Sequence, residues 1–427
     1  MSESGERVDP LYAYRQLFAL PRDVLVLSVA MFAFSLGFQM TGRYLPRYIE
    51  VLGGGAVAIG LYKTVSDVIG FAYPYVGGVL SDRVGSRSAL TTFGLVSTLG
   101  FGVWFLAPDV PGPVPAWVWI LPGLFLAQAW KSFGLGATFA VVKQSVPSGR
   151  LAEGFAATEV FRRVGFLVGP LLAAAALASA TGFAEGFRLV LVVALVFGLV
   201  ATAVQHVRYE SETDTFGTGF EGVATVLEDL RSLPGPLRPL LVADTFVRFA
   251  NGMVYAFWVI VVTDFLSVGF TGFGLSLNPD AYFGVLLGVE MAVALLVMVP
   301  FSRLANRVGL KPVVALGFLV YATFPALLIT APADQWALAG LFAFSGLRFA
   351  GLPSHKALIV GPAEKDQGGR VTGTYYLVRN LFVIPSGLTG GVLYRVDPVL
   401  SFLAASGIGL VGTALFLAFG REFEAYV

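Results

Sequence analysis

The chain contains no cysteine, so disulfides, thiolate metal sites and cysteine nucleophiles are excluded from any account of what it does. Histidine is almost as scarce: His206 and His355 are the whole complement, too few for a histidine-built metal cluster, and no metal is expected. Charged residues make up only 13%, with a net +1 at pH 7 and no basic run, which gives nucleic acid nothing to bind. There is no Gly-x-x-x-x-Gly-Lys-Ser/Thr loop and no nucleophile with a matching base. ATP-driven pumping, an enzyme active site and a cofactor are therefore not expected. The first twenty or so residues are polar and lack an apolar core with a small-residue cleavage site. No removable signal peptide is expected, and insertion is led by the first apolar span.

Long apolar runs fill the space that charge leaves. Hydrophobic residues make up 56% of the 427-residue chain, and the mean hydropathy is +0.78. A bilayer core about 30 Å thick needs roughly 20 apolar residues per spanning helix. Twelve such windows are predicted, at 24–49, 57–80, 88–107, 116–142, 153–179, 186–205, 239–266, 281–303, 312–331, 335–360, 371–394 and 398–419. Glycine, at 51 residues, suits a bundle in which helix backbones approach closely. The fold class is all-α integral membrane protein.

An even number of spans puts both termini on one side. Arg83, Arg87, Arg150, Arg303, Arg307 and Lys311 fall on that side, and chiefly Arg47 and Arg395 on the other, so the termini are predicted to be cytoplasmic. The expected division is a cytoplasmic N-terminal segment 1–23, a six-helix bundle 24–205, a cytoplasmic linker 206–238, a second six-helix bundle 239–420 and a cytoplasmic tail 421–427. Within the linker, 223–233 has apolar residues at helical spacing, as in a short helix lying on the membrane surface; a solvated linker is the alternative.

The two halves echo each other. Arg83-Val84-Gly85 follows the second span and Arg307-Val308-Gly309 the eighth; Lys131 with Gly134 in the fourth span matches Arg348 with Gly351 in the tenth. Repeated halves around a midplane site are a common build for secondary transporters.

Gly78-Val79-Leu80-Ser81-Asp82-Arg83-Val84-Gly85-Ser86-Arg87 resembles the signature loop of the major facilitator superfamily, Gly-x-Leu-x-Asp-Arg-x-Gly-Arg-Arg/Lys, at the place where that family carries it. The second copy has Ser302 for the Gly and Asn306 for the Asp and keeps Arg307, Gly309 and Lys311. Gly165, Gly169 and Pro170 in the fifth span are similar to the Gly-x-x-x-Gly-Pro element of antiporters in the superfamily, and Gly-x-x-x-Gly is also a common packing motif. The resemblance implies two pseudo-symmetric six-helix bundles and alternating access, a signature loop that gates, and a central path lined by the first, fourth, seventh and tenth helices.

Ionisable side chains inside a bilayer are costly, at roughly 2.5–3.5 kcal/mol each near the centre, and are functional candidates by default. Lys63 with Asp67, Glu159 with Arg163 and Asp244 with Arg248 stand four apart and can pair on one helix face. Glu290 has no such neighbour, so its pKa is expected to be raised; with Asp67 as second candidate it is the expected proton-coupling group. Lys131 and Arg348, at corresponding positions, would favour an anionic substrate if they face one cavity, and Arg379, Gln39 and Asn251 complete the substrate-binding candidates. Salt bridges to Asp67 and Glu290 are the competing role for the two cations.

The expectation is a proton-coupled transporter of a small organic anion in the plasma membrane, acting as a monomer among membrane lipids. Two alternatives stay open, a proton-coupled multidrug efflux antiporter suggested by the aromatic helices, and a transport-inactive receptor or scaffold.

Overall fold

A computed structural model describes residues 22–84, 86–131, 151–209, 234–235, 237–360 and 368–422. The expected surface helix at 223–233 and Gly85 lie outside the described residues, as do the side chains of Asp82, Arg83, Glu159 and Asn306.

The first half comprises α1 (Arg22–Gly42), the short α2 (Leu45–Val51), α3 (Ala56–Val84), α4 (Ser86–Leu106), α5 (120–131), α6 (Leu151–Ala178) and α7 (Phe183–Arg208). The second half comprises α8 (Leu237–Val254), α9 (Pro279–Val308), α10 (Leu310–Ile329), α11 (Gln335–Gly346), α12 (Leu352–Val360), α13 (Gly368–Val383), α14 (Ser386–Val396) and α15 (Pro398–Phe419). These helices fall in all twelve predicted windows. Among the described residues, nine segments are long and apolar enough to cross a bilayer.

Several windows contain breaks. The first turns at Gly42 before α2, where Pro46 sits in the opening turn. After α8 the seventh passes through a 3₁₀ turn at Tyr255–Phe257 and a π turn at Val261–Phe265. The tenth breaks at a 3₁₀ turn, Leu347–Phe349, and the eleventh is interrupted between α13 and α14, next to Pro385. Between α8 and α9 lies a hairpin, β1 (Phe270–Gly272) against β2 (Leu275–Leu277), with Phe270 opposite Leu277. Its turn residues Phe273 and Gly274 both have positive φ, at 53° and 78°, the backbone that a tight two-residue hairpin turn requires.

We call the end of the bundle where α1 begins the near end and the opposite one the far end. Three helices start at the far end on a side-chain cap. Asn278 accepts from the Ala281 amide at 2.8 Å, Asp334 from Ala337 at 2.8 Å and Asp397 from Val399 at 2.7 Å, each satisfying a backbone donor that has no partner inside the helix.

The described packing between the halves concentrates at the far end and depends on small residues. A Cβ on Gly60 of α3 would lie 2.6 Å from the Gly387 carbonyl oxygen of α14, and one on Gly284 of α9 would lie 2.6 Å from that of Pro170 in α6. The Leu388 amide donates to Thr64 Oγ1 at 2.9 Å, and the Tyr44 hydroxyl to the Asp280 carbonyl at 2.9 Å. Arg47 adds charge to this seam: it pairs with Asp264 and Glu50 and lies 3.4 Å from Asp280. The far end is closed.

Candidate functional site

A cavity of about 280 Å³ lies just beneath that closure, lined mostly by α1, α3, α5 and α6, with Tyr255, Ala256 and Phe283 from the second half. Of the described residues that line it, Arg43, Lys63, Lys131 and Arg162 are basic and Asp67 alone is acidic. Helical spacing explains the placement: Lys63, Ser66 and Asp67 share one face of α3, and Gln39 and Arg43 one face of α1.

Lys63 Nζ donates to Asp67 Oδ1 at 2.5 Å, the pairing that four-residue spacing predicts. Arg162 stacks over Phe166 at 5.3 Å. Lys131 is exposed to the cavity and makes no ion pair among the described residues. Gln39 lines the cavity; Asn251 does not, and its side-chain oxygen is buried without a hydrogen-bond partner among the described residues.

Glu290 corrects one expectation. Lacking a partner on its own helix, it is paired across helices instead: Oε2 accepts from Arg43 Nη2 at 3.0 Å, and Oε1 lies 2.9 Å from Arg348 Nη2 and accepts from Ser345 Oγ at 2.5 Å. The physical reason is that an ionised carboxylate in a dry interior demands charged partners wherever the fold can supply them. Arg43 carried no sequence signal of this role, being neither spaced for a pair nor part of a motif. Its guanidinium stacks on Tyr255, 4.0 Å from the ring centre. It therefore links the cavity to Glu290, which sits at the border of the two halves.

Arg348 takes the competing role named for it, the salt bridge to Glu290, in place of a substrate contact beside Lys131. It does not share the Lys131 cavity but faces a second, much smaller one in the second half, stacked on Trp258 at 4.7 Å. Beyond it lies a further cluster around the fully buried Asp244. Arg248 Nε donates to Asp244 Oδ1 at 3.2 Å, Arg379 Nη1 to Oδ2 at 3.0 Å and the Tyr375 hydroxyl to Oδ2 at 3.1 Å, while His355 Nε2 stands 3.4 Å from Oδ2. Arg379, a substrate candidate by sequence, is thus a partner of Asp244 and Asn380.

The motif residues divide. Gly165 and Gly169 let α6 lie against α1: a Cβ on either would come within 3.0 Å of the Phe32 and Leu36 carbonyl oxygens respectively, which is a packing role. Gly309 has φ +93° at the sharp turn from α9 to α10. Glu422 accepts there from the Leu310 amide at 3.1 Å and the Lys311 amide at 2.6 Å. Arg87 Nε donates to the His206 carbonyl at 2.8 Å, tying the start of α4 to α7. Arg307 is exposed, Gly78 lies on α3 with its surroundings outside what is described, and Glu159 leaves the pairing of Arg163 on α6 outside the described residues.

No protein-family model matches the chain. An uncharacterized MFS-type transporter of Methanocaldococcus jannaschii is 22% identical over 399 residues, 93% of this chain and 95% of that one. An uncharacterized MFS-type transporter of Mycobacterium tuberculosis is 32% identical over 188 residues, 43% of this chain and 41% of that one. Among solved structures, the nucleoside transporter NupG superposes with a TM-score of 0.73 at 13% identity, over 93% of this chain and 99% of its own. The peptide transporter POT in complex with sulfate superposes with a TM-score of 0.70 at 14% identity, over 96% and 99%. At such identities the superpositions establish the fold. With the sequence match along nearly the whole chain to an MFS-type transporter, they make the chain similar to the multi-pass transporters of the major facilitator superfamily, whose fold it shares.

Proposed function

We propose that the chain moves a small organic anion through the 280 Å³ cavity by alternating access, coupled to protons. The observation that carries the reading is the lining: four basic side chains against the single carboxylate of Asp67 among the described residues, with Lys131 exposed and without an ion pair. A bilayer interior penalises surplus charge, so a cation kept there points to an anion that arrives from outside. Phe38, Tyr62, Trp130 and Phe166 supply apolar faces between the cations, which suits a carboxylate or phosphate carried on a flat or apolar body. The volume sits near the small end of the ~300–1,000 Å³ range of small-molecule sites, so the solute is of metabolite size.

Coupling belongs to the two acids that hold cavity cations. Asp67 neutralises Lys63, and Glu290 neutralises Arg43. Protonating either carboxylate frees its cation for the substrate. The test is flux in proteoliposomes under an imposed pH gradient, comparing the wild type with Asp67→Asn, Glu290→Gln and the double variant. Loss of gradient-driven flux with retained downhill exchange supports the reading, and a double variant that still responds fully to the gradient overturns the coupling. Lipophilic cation efflux in the same vesicles would favour the drug-antiporter alternative.

A further inference from the structure

The second, smaller cavity lies wholly within the second half, between α8, α10 and the broken tenth span, with Arg248, Tyr321, Arg348 and His355 on its walls. Its volume of about 10 Å³ admits one particle of roughly water size and no organic solute. The groups around it are donors. Arg348 has its side chain 2% exposed; Nη2 serves Glu290, while Nε and Nη1 are buried without a hydrogen-bond partner among the described residues. Tyr321 accepts from Arg248 Nη1 at 3.0 Å and so keeps its own proton to donate. His355 Nε2 lies near Asp244 without a hydrogen bond among the described residues.

The surrounding charge is unbalanced in the same direction. In this connected cluster the guanidiniums of Arg43, Arg248, Arg348 and Arg379 face the carboxylates of Glu290 and Asp244, two positive charges in excess among the described residues. The Tyr321 ring carries two of those cations, with Arg248 at 4.8 Å and Arg348 at 5.2 Å from its centre. An aromatic ring attracts each of them, but it cannot supply the missing negative charge or accept the two unpaired N–H groups. A single anion in the cavity would supply that charge beside Arg248, Tyr321 and Arg348.

We infer that the cavity between Arg248, Tyr321 and Arg348 is a binding site for one small inorganic anion of halide type, separate from the solute cavity that contains Lys131. Chloride is the natural probe. Its role is to complete the charge of the buried cluster in the second half, so that binding reports on that half whatever solute the first cavity carries.

The experiment uses the purified full-length protein in detergent, with potassium gluconate replaced stepwise by chloride or bromide at constant ionic strength. A saturable rise in the melting temperature with either halide is expected. Tyr321→Phe keeps the ring and removes the donor, and should raise the half-saturating concentration at least fivefold. Lys131→Gln should leave it unchanged. Val314→Leu, which fills the cavity from its wall, should remove the response in a protein whose melting temperature in gluconate is preserved. In bromide-grown crystals the anomalous signal is expected between Arg248 and Arg348. No halide-specific shift would overturn the inference, as would a shift lost in Lys131→Gln and kept in Tyr321→Phe, or a bromide peak confined to the larger cavity.

Discussion

At the scale of single residues, the partner of an acid decides what its replacement does. Glu290 faces two guanidiniums with its side chain 2% exposed, so Glu290→Gln leaves buried positive charge uncompensated. A loss of about 3–5 kcal/mol in unfolding free energy is expected, the usual result of breaking a buried pair from one side. Asp67 and Lys63 are a quarter or less exposed but open to the cavity, where solvent screens them, so Asp67→Asn should cost under about 1 kcal/mol. Thermal unfolding in detergent orders the two, and equal losses would contradict the assignment of one as interior and the other as cavity pair. The Lys63–Asp67 and Asp244–Arg248 pairs were legible because both members sit on one helix, four apart. Of the partners of Glu290, Arg348 was legible only as the competing role for a mid-depth cation and Arg43 not at all, because both come from other helices and periodicity says nothing about which helices meet.

At the scale of elements, the twelve apolar windows were readable because a membrane helix must satisfy its backbone within itself and shows apolar length in sequence. Their interruptions were not. The turns around Tyr255 and Val261 and the break at Leu347 carry no glycine or proline of their own to mark them. The hairpin 270–277 lies in the break between the windows 239–266 and 281–303, where apolar length carries no information, although Phe273-Gly274 supplies its turn. Close approach at glycine gives a direct test of the far-end seam. Gly60→Ala would put a methyl group 2.6 Å from the Gly387 oxygen, so α3 and α14 must separate. Since the chain has no native cysteine, a single cysteine at Ser66, in the cavity, reports the consequence. Labelling from the far side should rise severalfold with Gly60→Ala, and unchanged labelling would show that this contact is not part of the closure. At a helix start, Asp397→Ala removes an acceptor for two backbone amides and should cost about 1 kcal/mol in thermal unfolding.

At the scale of the molecule, the two halves meet through α3 with α14 and α6 with α9 at the far end, over a cavity enriched in positive charge. Alternating access requires that seam to open. A cysteine pair at Thr64 and Leu388, where a hydrogen bond of 2.9 Å already joins the halves, should stop transport when oxidised and restore it when reduced. Transport that persists in the oxidised protein would rule out opening at this point.

The claim on which the rest depends is the sign of the substrate. The direct measurement is uptake into proteoliposomes of a metabolite-sized aromatic carboxylate beside its uncharged amide, for the wild type and for Lys131→Gln. The account predicts saturable uptake of the carboxylate, little of the amide, and a KM raised about tenfold or more by the substitution, the loss of roughly one charged contact. Equal uptake of both compounds, or carboxylate uptake indifferent to Lys131, would contradict it.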